Sequence, residues 1–341
     1  MTELTPRQQR ILGLVVQMYI DTAAPVGSKA LMEASDLGVS SATIRNEMAV
    51  LEELGYLTHP HTSAGRVPTD KGYRYFVERL IDNVELPPAE KNTIRHQFHQ
   101  ARMEMSQWMQ LAAAVLARVS RSASLVTAPR LERPRLRHLE LISTQSHLVL
   151  MIVVFQGGSV RQRMLSLQEP ISQPELSQIA ARFNEQAVGM DAEAIRQRFA
   201  DLAGFEGEVM HILLDLMTDA GQTSSSEVYR DGLTEVLQEP EFNRSSDMNA
   251  LVNVLEQPGF LNDVLSAPVG TVQVIIGGEG RWRELSACSV VIARYGAEGF
   301  ATGALGVLGP TRMPYGRAIG AVRYVADIMS DLVNELYGES F

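Results

Sequence analysis

The chain has 341 residues, 45% of them hydrophobic and 21% charged, with a formal net charge of -10; that length allows two or three domains, and the acidic balance excludes a generally basic nucleic-acid binder. The longest apolar run, LVLMIVVF at 148–155, is strand length and well short of the ~20 residues a membrane-spanning helix needs. A single cysteine, Cys288, leaves no intrachain disulfide, and MTELTPRQQR has no apolar signal region, so a cytoplasmic location is expected.

Residues 1–80 hold 8 Lys and Arg against 9 Asp and Glu, a balance of -1, so the remaining 261 residues carry -9. Any contact with DNA therefore has to come from a local patch in this nearly neutral part. Thr5-Pro6 opens a helix as cap and first residue, because proline's missing N–H is not needed there. Ile11, Leu12, Val15, Tyr19 and Ile20 follow at helical spacing, and Pro25-Val26-Gly27 breaks the chain. Ser28 is expected to cap a short second helix that Gly38 ends.

Ser40 or Ser41 caps a third helix, on which Ile44, Met48, Leu51 and Leu54 form one apolar stripe that Gly55 stops. Opposite the stripe its first turns show Thr43, Arg45 and Asn46, while the acids Glu47, Glu52 and Glu53 come later. A helix start offers free N–H groups and partial positive charge to a phosphate. Arg and Asn can read guanine and adenine edges through paired hydrogen bonds. Two short strands follow around the turn-rich HPHTSAG, with Arg66 on the second. Thr69 or Asp70 then caps another helix, which carries Tyr73, Phe76 and Leu80. Three helices and a β-hairpin make a winged helix, with its third helix suited to the major groove and its wing to the backbone or minor groove. The same pattern also suits a small structural helical domain.

The stretches LTPRQQRIL, PVGSKAL, VSSATIRNEMAVLEELGYL and HTSAGRVPTDKGYRYFV together resemble the heat-inducible transcription repressor family HrcA, and ALGVLGPTRMPY extends the likeness to the rest of the chain. The resemblance implies a bacterial repressor of chaperone genes that binds an inverted-repeat operator as a homodimer and whose activity is modulated by the chaperonin. It implies DNA contacts at Ser40, Ser41, Thr43, Arg45, Asn46, Arg66 and Lys71, and no enzymatic step or cofactor.

Glu85-Leu86-Pro87-Pro88 marks a boundary, and a long helix is expected from Ala89 to Arg121. After Pro129 the period changes to alternation around Leu139 and Leu141, then 148–155 reads as a buried strand, and Gly157-Gly158 turns the chain into a strand over 160–167. Ser172-Gln-Pro-Glu175 is a capping box for a helix carrying Leu176, Ile179, Ala180 and Phe183. Further helices are expected over 191–203 and 206–220, with Gly204 and Gly221 as breaks, and over 229–238, 246–256 and 259–266. Three strands, 271–276, 285–295 and 304–308, and a closing helix over 315–337 complete the chain.

This order describes an α+β protein: a winged helix over 1–84, then a sheet domain in two parts, 89–170 and 228–341, split by an inserted segment over 171–227. The resemblance implies that the sheet domain is GAF-like and that the insertion serves dimerisation. Apolar residues of the insertion, Leu176, Phe183, Phe199, Leu213 and Leu216, exceed what so small a segment needs for its own core.

Other candidate sites carry less. Cys288 sits inside ACSVVIA with no basic partner nearby in sequence, as a buried strand cysteine would. His96 and His99 lack a further metal ligand, and His59 and His61 flank Pro60 in the wing. Gly277-Gly278-Glu279-Gly280 follows a strand but lacks the lysine of a phosphate loop. The glycine-rich stretch 296–320 suits either a ligand pocket or close strand packing, and a metabolite-sensing regulator remains the alternative function.

Overall fold

Periodicity in the first eighty residues becomes three packed helices. The structure, a computed structural model, describes residues 4–60, 65–81, 84–101, 104–145, 147–222, 228–242, 268–277, 279 and 286–338. The first helix, α1 (Pro6–Thr22), is fixed at its start by a capping box in which Thr5 accepts from the Gln8 amide and the Gln8 side chain answers to Thr5. Helices α2 (Ser28–Ala34) and α3 (Ser41–Glu53) pack with it around Ile11, Leu12, Val15, Leu31, Ile44, Met48 and Leu51, all at most 2% exposed. Gly27, not Ser28, precedes the first turn of α2, and that helix ends at Ala34, short of Gly38. The wing strands β1 (Leu57–Thr58) and β2 (Val67–Pro68) pair antiparallel, Leu57 with Pro68 and Thr58 with Val67, and a bridge between Val26 and Arg66 lengthens the ribbon.

Helix α4 (Asp70–Tyr75), capped by Thr69, runs directly into a turn of π-helix, Phe76–Leu80. Gly72 lets α4 cross β1, since a Cβ there would stand 2.2 Å from the Tyr56 carbonyl oxygen.

Two compact units emerge from the packing, and they divide the chain elsewhere than the sequence pattern implied. The first takes residues 1–126, 229–293 and 305–325. After the winged helix it contains α5 (Pro88–Gln100) and α6 (Met105–Ser120), where one long helix was expected. Ala101 (ψ 140°) and Glu104 (ψ 122°) are extended, which interrupts the hydrogen-bond ladder between the two. Strands β3 (Ala123–Thr127), β8 (Val228–Asp231), β9 (Val272–Ile276), β10 (Cys288–Ala297) and β11 (Ala301–Pro310) form a sheet in the order β8-β3-β11-β10-β9. Leu305–Leu308 pair antiparallel with Val126–Ala123, and Ser289–Ala293 with Ile276–Val272.

The helix expected over 229–238 is shortened to α10 (Leu233–Val236); the residues before it form β8, which pairs with β3 while the Ser124 hydroxyl reaches the Asp231 carbonyl. Tertiary pairing overrides the local pattern here. The closing helix, α11 (Tyr315–Gly338), begins in this unit, where Gly320 passes under the Val84 carbonyl; a Cβ there would come within 2.3 Å of that oxygen. Helix α4 is fastened to β9 by Arg74, which donates to the Val274 carbonyl at 2.8 Å and to both oxygens of Glu279.

The second unit takes residues 127–228, 294–304 and 326–341. Strands β5 (Leu136–Gln145), β6 (Leu148–Phe155) and β7 (Val160–Ser166) make a separate antiparallel meander, and β4 (Arg130–Leu131) pairs with Ala301–Thr302. The expected first part of the split domain, 89–170, is therefore divided, and these strands pack with the helices of the insertion. The reason is the face they bury: Leu139, Leu141, Val149, Met151, Val153 and Phe155 are fully covered, and α7 (Gln173–Ala187) packs on β5. Asn184 completes the edge of β5, accepting from the Leu139 N–H at 2.7 Å and donating to its carbonyl at 2.8 Å.

Helices α8 (Ala192–Arg198) and α9 (Gly204–Gln222) follow; Gly204, at φ 65°, stands at the break before α9 as expected, whereas Gly221 lies inside α9. Leu176, Phe183, Phe199, Leu213 and Leu216 are at most 7% exposed within the single chain. These five side chains are therefore covered within the chain itself. The helices expected over 246–256 and 259–266 lie outside the described residues.

Candidate nucleic-acid interface

The start of α3 is built by hydroxyl groups. Ser40 caps the helix, its Oγ accepting from the Thr43 N–H at 3.2 Å and lying 3.0 Å from Thr43 Oγ1. Ser41 Oγ lies 3.0 Å from Ser28 Oγ, which ties the start of α3 to the start of α2 and fixes the angle between the two helices. This role of Ser28 was not legible in the sequence, where it appeared only as a cap.

One turn further on, Arg45 and Asn46 are exposed, and among the described residues they make no hydrogen bond or ion pair. Ile44 and Met48, buried at 0% and 2%, hold the opposite face of the helix in the core, so Arg45 and Asn46 stand outward on a rigid support. The first turn of α3 contains no acid. Two of the three acids further along are occupied: Glu47 accepts from Gln8 at 3.1 Å and from Arg7 at 3.5 Å, and Glu52 binds His59 and Arg66, while Glu53 lies at the far end of the helix. The helix start therefore presents N–H dipoles, an uncompensated guanidinium and an amide, a set that suits phosphates and base edges.

Arg66 and Lys71 each have a partner within the domain. Arg66 Nη2 lies 2.7 Å from Glu52 Oε2, with only 23% of the side chain exposed. Burial works against ionisation of Glu52, yet the hydrogen bond with His59 and the charge of Arg66 hold its carboxyl below the usual carboxylate range. Lys71 donates to the Leu54 carbonyl at 2.7 Å and stands 4.4 Å over the Tyr56 ring, so it closes the C-terminal end of α3. Both cations are anchored within the domain, and neither anchor is visible in the sequence because each partner is 14 to 17 residues away. Thr69, which caps α4, also donates to the Gly55 carbonyl at 2.7 Å. Wing-tip residues 61–64 lie outside the described residues.

The remaining candidates resolve simply. Cys288 is a buried strand residue, and His96 hydrogen-bonds Gln100 within its own helix. Among the described residues no cluster of three metal-ligating side chains occurs, and no helix is long and apolar enough to cross a membrane. In the glycine-rich stretch, Gly303 and Gly306 serve close packing: a Cβ at Gly303 would stand 2.6 Å from the Tyr295 ring, and one at Gly306 2.7 Å from the Val291 carbonyl oxygen.

Comparison with known proteins agrees with this geometry. The family model "Winged helix-turn-helix transcription repressor, HrcA DNA-binding" matches residues 3–80, and "HrcA protein C terminal domain" matches residues 106–319. The chain is 46% identical over 347 residues to the heat-inducible transcription repressor HrcA of Roseiflexus castenholzii, covering 99% of this chain and 96% of that one. It is 45% identical over 346 residues to that of Herpetosiphon aurantiacus, covering 99% and 97%. A solved crystal structure described as a hypothetical protein is 26% identical and superposes over 98% of both chains with a TM-score of 0.60. The family regulates transcription and has no enzymatic step. Two family models that together span most of the sequence and a relative 46% identical over 99% of the chain lead to one assignment: the chain belongs to the HrcA family of heat-inducible transcription repressors.

Proposed function

We propose that this repressor binds an inverted-repeat operator upstream of chaperone genes as a homodimer, in the cytoplasm and on the nucleoid. The observation that carries the reading is the unpaired Arg45 and Asn46 at the capped, acid-free start of α3. In this proposal Ser40, Ser41 and Thr43 meet phosphates while Arg45 and Asn46 read bases. Arg66 and Lys71 shape the wing and the helix end, and reach phosphate only through the surface they hold in place.

A dimer is supported by operator symmetry, since one winged helix reads too few base pairs to be specific in a genome and an inverted repeat presents two half-sites about a two-fold axis. It is also supported by the outer face of the β5–β7 sheet. There the register lines up Ile142, Leu150 and Met164 in one row, with Val154 and Val160 in another. Met164 and Val160 are each 52% exposed and Ile142 38%, an apolar face of the kind that a second copy covers. We further propose, from the family resemblance, that the sheet carrying β9–β11 is GAF-like and that chaperonin keeps the repressor active until heat-damaged clients compete for it.

A gel shift with the full chain on the inverted repeat, on one half-site and on scrambled DNA, with and without chaperonin, tests the reading. Tight binding to the repeat, weak binding to the half-site and a rise in active fraction with chaperonin are expected. Equal affinity for the repeat and the scrambled duplex would overturn sequence-specific repression.

A further inference from the structure

Within the first unit a cavity of about 890 Å³ opens between the winged helix and the elements that carry it. One wall is α1 and the π-helical turn; the other is the end of α6 and the start of α11. Leu14, Phe76 and Leu86 give it an apolar lining. Its charged groups are unevenly committed. Arg317 is tied to Glu90 at 3.0 Å and to the Val119 carbonyl, Arg10 reaches the Asp36 carbonyl, Glu85 is paired with Lys91 at 2.7 Å, and Asp21 accepts from Gln17. Arg79 and Arg121 are exposed, line the cavity, and among the described residues their side chains make no hydrogen bond or ion pair.

Arg79 and Arg121 thus offer two unspent guanidinium groups to one cavity. Their backbone settings are uncommon. Arg79 sits in the π-helical turn, a geometry that is rare and recurs at functional sites. Arg121 ends α6 at φ 54°, a left-handed position that glycine usually fills. The volume falls in the range of roughly 300–1,000 Å³ typical of small-ligand sites.

We propose that this cavity binds a nucleoside polyphosphate, with the phosphates on Arg79 and Arg121 and the ring against Phe76, Leu14 and Leu86. Guanidinium pairs suit phosphate because their N–H groups can fork onto two oxygens. The walls belong to the DNA-binding helices on one side and to their support on the other, so an occupant favours one setting of the winged helix on that support. The binding step does not depend on the proposed operator contacts.

The test is calorimetric titration of the full chain with ATP, pyrophosphate and adenosine, supported by thermal shift. ATP is expected to bind and to raise the melting temperature, with pyrophosphate weaker and adenosine weakest. The double variant Arg79→Glu/Arg121→Glu should lose about tenfold or more in ATP affinity, as should the milder Arg79→Gln/Arg121→Gln, while Arg45→Ala binds ATP like the parent. Absence of ATP binding at millimolar concentration, or unchanged affinity in a folded double variant, would overturn the proposal. So would loss of binding in Arg45→Ala, which would place the anion on the DNA face.

Discussion

Replacing Arg45 by Ala separates recognition from folding. The side chain is exposed and, among the described residues, without a partner, so its removal should change unfolding free energy by no more than about 0.5 kcal/mol. A bidentate contact with a base is worth roughly 1–3 kcal/mol of discrimination at its base pair. A dimer on two half-sites makes that contact twice, far enough apart for the effects to add, so the loss is roughly 2–6 kcal/mol, or about 30-fold to 20,000-fold in operator affinity. The assay is fluorescence anisotropy on the inverted repeat and on repeats altered one base pair per half-site, at fixed salt, with thermal unfolding alongside. Specificity should relax at one position and binding to scrambled DNA should fall much less. Ser40→Ala is the contrasting control, since it removes the cap and should cost about 1 kcal/mol of stability. If Arg45→Ala lowered the melting temperature as Ser40→Ala does but left operator affinity and base preference intact, α3 would not be the reading helix.

Three further outcomes follow from named contacts. Because the carboxyl of Glu52 is held below its usual value of 4.5, its pairing with His59 and Arg66 contributes stability that is complete above that pH and lost as pH falls through the depressed value; Glu52→Gln should flatten thermal stability against pH in that acid window and leave it lower at neutral pH. Arg74→Ala removes the donor to Val274 and Glu279 and leaves a half-exposed carboxylate behind, so chemical denaturation should report a loss of about 1–3 kcal/mol. Val160→Asp combined with Met164→Asp places charge on the outer face of the β5–β7 sheet, where both residues are 52% exposed, so the chain should fold normally yet sediment as a monomer that binds one half-site weakly. Retained dimers in that variant would move the contact to another surface.

What the sequence determined on its own was local. Thr5-Pro6, Ser40, Thr69 and Ser172-Gln-Pro-Glu175 start their helices as their side chains dictate, because a cap needs only residues three positions apart. The outward set of Thr43, Arg45 and Asn46 was legible for the same reason: the buried stripe of Ile44, Met48 and Leu51 fixes which side of α3 is left over. Gly157-Gly158 turned β6 into β7 with φ values of 87° and 81°, a backbone that only glycine adopts freely. Tertiary structure decided whatever depends on partners distant in the chain. The start of the 229–238 segment became a strand because β3 offered it an open edge, and α5 and α6 separated because each buries its own short stripe, Ile94 and Phe98 in one, Trp108 to Val119 in the other. Residues 136–166 left the expected sheet domain because α7 supplies the cover for their buried face, and an apolar alternation states that a face is buried without stating against what. Arg66 and Lys71 looked as free as Arg45 in the sequence; only the fold brought Glu52 and the Leu54 carbonyl to them, and a charge's availability is a property of what stands within about 4 Å of it in space.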